Sequence, residues 1–212
     1  MSTPVIAFDE IDSTNAEARR RAEAGEDGPI WFTAARQTAG RGRRGRVWDT
    51  GRGNLAATLL LTTDRPPSDA TQLSFVAALA VCDFARAYLP ADTVKVKWPN
   101  DVMVGYDKVS GILLESGRRA DGRLWVAVGV GINLAHHPDD TERPATSFAA
   151  HMAGPPPDPT LAIDGRQRLR RLAGRLGAPA VRRARPGLDD ARLRPWPARD
   201  GAAPGRNGLR HS

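Results

Sequence analysis

The sequence predicts an α+β fold: a mixed, largely antiparallel sheet with helices packed on one side. Two segments read as helices: Ala16–Ala24 is a strong helix former, and 71–88 carries apolar residues at helical spacing. Residues 94–134 instead alternate apolar and polar positions and are cut by tight turns, which is the pattern of an antiparallel meander. Short β-branched or aromatic runs bounded by Gly, Pro and Asn supply the remaining strands.

Val5 to Phe8 reads as the first strand. Thr14 with Glu17 fits a capping box, and Ala16 to Ala24 is a strong helix former closed by Gly25. Ile30 to Ala34 is aromatic and partly β-branched, hence a second strand. A Gly/Arg-rich loop follows to about Gly53, and Asn54 to Thr62 is a buried strand. The loop therefore lies at a sheet end, where binding residues concentrate. Arg65 to Ser68 reads as a turn before the long helix, and Cys82 is a small packing residue of that helix. Val94 to Trp98, Val102 to Val104, Lys108 to Glu115 and Leu124 to Leu134 make the meander, with turns at 105–107 and 117–122. His136 and His137 read as solvent-exposed turn residues, and Ser147 to Met152 as a short helix.

The chain has 212 residues, 41% hydrophobic and 26% charged, an ordinary globular composition. No apolar run is long enough to span a bilayer and no signal peptide is visible. A single cysteine excludes an internal disulfide and suits a reducing cytoplasm. The net charge of +7 is unevenly placed. Residues 163–212 carry 13 Arg, no Lys and 4 Asp, a net +9, so residues 1–162 are net −2. A nucleic-acid reading drawn from the basic balance rests on the tail alone. In that tail Arg, Ala, Gly and Pro fill 33 of 50 positions. Too little apolar surface is left there to offset chain entropy. The expected division is a folded domain over 1–160 and an unpacked tail over 161–212. A reading-frame shift near residues 160–166 would produce such a composition, and translating the other two frames is the check.

Four motifs carry chemistry. The first is Gln37 to Trp48, in which Gly40, Gly42 and Gly45 alternate with Arg41, Arg43, Arg44 and Arg46. Glycine lets backbone N–H groups approach an anion, and Arg adds forked, permanent charge. With Arg36 and Arg52 the loop holds six arginines and only Asp49 to neutralise them, which predicts a loop ordered by an anion. A solvated basic loop or a minor-groove arm is the competing reading, although such arms usually continue with proline. The second motif, Lys97-Trp98-Pro99-Asn100-Asp101, puts Lys, Asn and Asp at a strand end, where they can hold phosphate and a divalent cation. The third, Lys108 to Leu113, sets a lysine beside Gly111 and can place one point charge on a carboxylate or phosphate. The fourth, Val128 to Leu134, has alternate Gly129 and Gly131, which leave room for a planar ring, and Asn133, which can read its edge. Ser13, Thr14 and Asn15 at a helix start can hold a polar ligand group or serve only as the helix start.

Together with Ser13-Thr14-Asn15, these motifs in this order resemble those of biotin protein ligases over residues 5 to about 150. The resemblance implies the biotin/lipoate ligase catalytic-domain fold, which is class II synthetase-like. It also implies a two-step reaction: biotin and ATP give biotinyl-5′-AMP and pyrophosphate, and a carrier lysine then displaces AMP. By the same resemblance, Ser13, Thr14, Asn15, Gln37 and Gly40 bind biotin. Arg41, Gly42 and Arg43 close over it, Trp48 walls it, and Lys108 and Arg43 are the catalytic pair. Lys97, Asn100, Asp101, Arg44, Arg46 and Asn133 serve ATP, with Mg²⁺ near Asn100 and Asp101. The implied partner is the biotin carboxyl carrier protein of acetyl-CoA carboxylase or a related biotin-dependent carboxylase. The implied location is cytoplasmic, with a homodimer allowed and no membrane partner. Many bacterial relatives begin with a winged-helix DNA-binding domain. Phe8 to Ser13 stands almost at the N-terminus here, so the expectation is a catalytic domain without it and without DNA binding. The small SH3-like C-terminal domain of the family is not recognisable in the tail. The rivals are a lipoate or octanoate ligase or transferase of the same fold, and a nucleic-acid-binding protein using the loop and tail.

Overall fold

The computed structural model describes residues 3–163 except 50, 140 and 142. Most of the Arg-rich tail, residues 164–212, lies outside the described residues. Seven strands form one sheet: β1 Val5–Ile11, β2 Ile30–Gln37, β3 Leu55–Thr63, β4 Val94–Lys97, β5 Asp101–Val104, β6 Asp107–Arg118 and β7 Leu124–Ile132. Their order across the sheet is β1-β2-β3-β7-β6-β5-β4. Only β1 and β2 run parallel, and every other neighbouring pair is antiparallel. The helices are α1 Thr14–Glu23, α2 Pro67–Ala70, α3 Leu73–Ala85 and α4 Pro159–Ile163. Among the described residues no helix is long and apolar enough to cross a membrane.

The helices do not share one side of the sheet. Leu60 packs with Ala18 and Ala22 of α1, Phe32 and Trp125. Its neighbours Leu59 and Leu61 pack with Val81 and Phe84 of α3. Successive strand residues point to opposite faces, so α1 and α3 cover opposite faces. This explains why every residue of β7 is buried, and all of β3 from Leu55 to Leu61. Strands covered on both faces read as apolar runs rather than alternating ones.

Local signals are otherwise shifted by a residue or two. The cap of α1 is Ser13, whose hydroxyl accepts from the Ala16 N–H. The expected capping box of Thr14 and Glu17 is not formed, because Thr14 is already helical and Glu17 pairs with Arg20 and Arg21. Arg65 to Ser68 is not only a turn: Pro67 opens α2, with the ring's fixed φ suiting a first helical position. The short helix expected at 147–152 is a single 3₁₀ turn, Ala149–His151. α4 spans the boundary expected at residue 160, and Ala162 is buried.

On the α3 side the core closes around an aromatic group, with Phe84 and Phe148 ring centres 5.7 Å apart and Tyr88 beside both. Phe84 is 1% exposed. Phe84→Ala is expected to cost about 3–5 kcal/mol in urea unfolding, the range for truncating a buried aromatic ring.

Candidate functional site

The ten-residue α1 covers only part of its sheet face. Beyond its N-terminus that face carries small residues: Ala56 on β3, Gly129 and Gly131 on β7, and Gly111 on β6. Gly111 and Gly131 are direct partners across the β6–β7 ladder, as are Leu113 and Gly129. The result is a cavity of about 780 Å³, roofed by the Gly/Arg loop and bordered by Ser13, Lys97, Asp101 and Asn133.

The loop has its own hydrogen-bonded shape. Arg41 bridges Val47, the Trp48 N–H donates to the Gly40 carbonyl at 3.0 Å, and the Gly42 N–H donates to the Arg46 carbonyl at 2.7 Å. Arg44 takes φ +59°, a left-handed conformation that folds the tip into one 3₁₀ turn. This loop lays the Trp48 indole on the glycine pair. A Cβ on Gly131 would overlap the indole, and one on Gly111 would stand 3.2 Å from its Cζ3. A Cβ on Gly129 would overlap the Asn15 amide. The alternate glycines thus admit two of the protein's own side chains, where the sequence had suggested room for a ligand ring alone.

The loop arginines are also less isolated than their sequence neighbours implied. Arg36 pairs with Glu10 at 2.6 Å, and Arg52 with Asp9 at 2.8 Å. Arg41 faces Glu115 at 3.7 Å, and Arg43 Nη1 donates to Asn100 Oδ1 at 3.1 Å. The acidic partners come from β1 and β6, distant in sequence, so counting charges along the loop could not find them. The loop's C-terminal end is tied down by Asn54, whose Oδ1 accepts from the N–H groups of Leu134, Ala135 and His136. His136 is exposed but lies against Asn54 and the Arg52 carbonyl, and His137 is half-buried near Ser147. His136 is thus exposed as expected and also ties into this junction, while His137 is only half-exposed.

Lys108 reaches the cavity through a bulge. In the β5–β6 pair Val102 faces Ser110 but Met103 faces Lys108, so Val109 is an extra residue. Lys108 and Gly111 are three apart and would otherwise lie on opposite faces; the bulge reverses the parity and re-aims the lysine. Its Nζ is 2.7 Å from Asp101 Oδ1 and 5.3 Å from the centre of the Trp48 ring. Asp101 Oδ1 is buried, and the Lys108 ammonium is the charged group it meets. Asn100 is held by both its amide atoms, Oδ1 by Arg43 and Nδ2 by the Ile112 carbonyl. Asn133 is 3% exposed, and its side chain donates to the Thr146 carbonyl, so it braces the 144–147 segment at the cavity wall. Lys97, Arg44 and Arg46 also border the cavity.

Gln37, Thr14 and Asn15 line the opposite wall, and a chain of polar groups runs through and behind it. Gln37 Oε1 accepts from the Thr14 N–H at 2.8 Å, the Thr14 and Thr58 hydroxyl oxygens are 2.8 Å apart, and Thr58 lies 2.7 Å from Asn15 Oδ1. Asn15 Nδ2 donates to Glu115 at 2.7 Å. Sequence reading missed Thr58 and Glu115. A threonine inside an apolar strand run and a carboxylate on the glycine-bearing strand were the available signals.

Asp12 supports this wall from outside. It accepts from the Ser13 N–H and pairs with Arg20 of α1, whose guanidinium holds the carboxyl at about 2, below its usual 3.8. A folded-state value below the unfolded one gives stability present above about pH 4 and lost as the pH falls towards 2. Both groups are nearly half exposed, so the contribution is small. Wild type is expected to melt slightly above Asp12→Asn at pH 6, with the difference gone by about pH 2 in paired thermal melts.

The profile of the biotin/lipoate A/B protein ligase family matches residues 6–133. A biotin–[acetyl-CoA-carboxylase] ligase of Paracoccus denitrificans is 52% identical over 129 residues, which are 60% of this chain and 53% of that protein. The chain spans about half the length of the curated relatives it matches. Among solved structures, a biotin protein ligase of Aquifex aeolicus in complex with biotin and ATP aligns with a TM-score of 0.62 at 30% identity. That match covers 82% of this chain and 70% of the other. A Leishmania major biotin protein ligase in complex with biotinyl-5-AMP aligns with a TM-score of 0.58, also at 30% identity, covering 76% and 71%.

Proposed function

The chain belongs to the biotin/lipoate A/B protein ligase family, and from that premise we propose that it activates biotin with ATP as biotinyl-5′-AMP and transfers the biotinyl group to a carrier lysine. One observation carries the reading: a lysine, an arginine loop and a polar wall meet in a single cavity over a side-chain-free patch of sheet. Biotin is favoured over lipoate because the relatives and solved structures named above are biotin ligases.

In this reading Ser13, Thr14, Asn15 and Gln37 hold the biotin ring, and Gly40 to Arg43 close over it with Trp48 as the wall. Two anions must approach in the first step, the biotin carboxylate and the α-phosphate. Lys108 neutralises the charge that builds as the carboxylate oxygen attacks phosphorus and pyrophosphate leaves. Arg43 assists from the loop. A loop closed over the ligand would exclude water, which strengthens these interactions and protects the mixed anhydride. In the second step the carrier lysine amine attacks the biotinyl carbonyl, forming the amide and releasing AMP. Lys97, Asn100, Asp101, Arg44 and Arg46 serve the nucleotide phosphates, while Asn133 shapes the wall near the base.

Mg²⁺ fits this corner only in part. Asp101 offers one buried carboxylate, whose Oδ1 stands 2.7 Å from Lys108 Nζ, and among the described residues no group of three His, Cys, Asp or Glu could hold a metal. Mg²⁺ commonly takes one or two carboxylates and completes its shell with phosphates and water. Bound that way, it would neutralise phosphate charge, with Asp101 as its protein ligand. The partner in this reading is a biotin carboxyl carrier protein, and the reaction is cytoplasmic, where ATP is available.

The test is biotin-dependent exchange of labelled pyrophosphate into ATP by the 212-residue chain. Exchange with biotin and none with lipoate is expected, and exchange requiring lipoate, or none with biotin, would overturn the reading. Lys108→Ala is expected to retain its fold by circular dichroism and to lose adenylation by roughly 10²–10³-fold.

A further inference from the structure

Strand β7 ends at Ile132, opposite Ser110 of β6. Continued in that register, Asn133 would face Val109 and Leu134 would face Lys108. The Asn133 N–H does reach the Val109 carbonyl, at 2.9 Å. Leu134 does not follow: its N–H turns to Asn54 Oδ1, and the chain leaves the sheet. Lys108 is thus left without a β7 partner, one residue from the bulge where the ladder is already interrupted.

The gap is filled by a segment that belongs to no strand. The Lys108 N–H donates to the Pro144 carbonyl, and the Thr146 N–H donates to the Lys108 carbonyl, both at 2.9 Å. Both backbone polar groups of the lysine are therefore held by residues 144–146. Asn133 in turn holds that segment. Its Nδ2 donates to the Thr146 carbonyl at 3.0 Å. A carbonyl can only accept, so the amide nitrogen is the atom that faces it. Asn133 and Thr146 are 3% and 5% exposed, so without this amide the Thr146 carbonyl would be a buried acceptor that lacks a donor.

The backbone of Asn133 makes two further bonds that a change of side chain leaves in place. Its N–H reaches Val109, and its carbonyl accepts from the Phe148 N–H at 3.0 Å. Phe148 is fully buried in the aromatic group beside α3, so the far end of the segment is anchored independently. The Asn133 amide is thus the removable link. It fastens the near end of the segment, where Lys108 is gripped.

We propose that Asn133 is a positioning residue for Lys108, acting through Thr146. The bulge turns the lysine towards the cavity, and the Asn133 amide keeps it there by holding the segment that replaces the missing rung of the ladder. Without the amide, the Thr146 carbonyl turns to another donor, its N–H leaves the Lys108 carbonyl, and the ammonium loses its fixed place beside Asp101. The inference rests on the reading of Lys108 as the lysine of the adenylation step. It differs from a role for Asn133 in reading the base, which would act on nucleotide affinity and not through Lys108.

The test is a double-mutant cycle on biotin-dependent pyrophosphate exchange by the full chain: wild type, Asn133→Ala, Lys108→Ala and the two together. Asn133→Ala is expected to lower kcat about tenfold, the effect of losing one good buried hydrogen bond, with KM for biotin and for ATP unchanged. In the Lys108→Ala background the same substitution should lower kcat no further, because no lysine is left to position. An unchanged kcat, with or without a raised KM for ATP, would overturn the proposal. So would a loss that persists at full size in the Lys108→Ala background, which is what a general loosening of the fold would give. If Asn133→Ala fails to fold by circular dichroism, Asn133→Ser, whose hydroxyl is too short to reach the Thr146 carbonyl, decides on the same criteria. Wild type without biotin-dependent exchange would overturn the functional reading itself, and this inference with it.

Discussion

Gly111 and Gly131 face each other across β6 and β7, and together they leave a patch of sheet with no side chain on it. The site depends on that gap. Any Cβ at Gly131 would meet the Trp48 indole, and a Cβ at Gly111 would crowd both the indole and Lys108 Nζ, 3.1 Å away. Because the ring can lie flat there, the arginine loop is drawn onto the sheet and closes a cavity that α1 is too short to cover. An apolar strand residue at either position would lift the loop away and bring water to Lys108 and Asp101. Dispersion contacts over the glycine floor and the cation–π approach of Lys108 hold the ring from two sides.

The second constraint is the bulge at Val109. One extra residue on β6 brings Lys108 to the face that carries Gly111, and the ladder elsewhere keeps its register. There the ammonium meets a carboxylate that is itself mostly buried. Such a pair loses hydration on both partners, and in the proposed reaction an incoming carboxylate and phosphate would offer the lysine a better-matched set of charges. Lys108 is therefore held near Asp101, with its backbone fixed by pairing to the 144–146 segment. The site is rigid on the sheet side and loop-built on the other, the usual division between a scaffold that fixes geometry and a segment that closes over the ligand.

Much of this was legible in the amino-acid sequence, and the failures have physical reasons. The strands were readable because their β-branched and apolar runs are cut by Gly, Pro and Asn turns. Lys108, Gly111, Gly131 and the arginine loop stood out because glycines and like charges have few uses inside a sheet or a short loop. What local pattern cannot carry is parity and partnership. The covering of both sheet faces shows only in the run of buried residues in β3 and β7, which reads the same for any buried strand. The bulge at Val109 changes nothing in the residue types around it. The acidic partners of Arg36, Arg52 and Arg41 lie on β1 and β6, 26, 43 and 74 residues away in the chain. The resemblance alone suggested Trp48 as a wall of the site, and its seat on the glycine pair follows from pairing between β6 and β7.

The central claim is that Trp48 and the glycine floor enclose a biotin site. The chain has five tryptophans, so one substitution isolates the signal. The direct measurement is tryptophan emission during a biotin titration of the 212-residue chain, with Trp48→Phe as the reference. A saturable change that disappears in Trp48→Phe is the result this account predicts. A full-size change that persists in Trp48→Phe, or tight biotin binding with no change in emission, would contradict it.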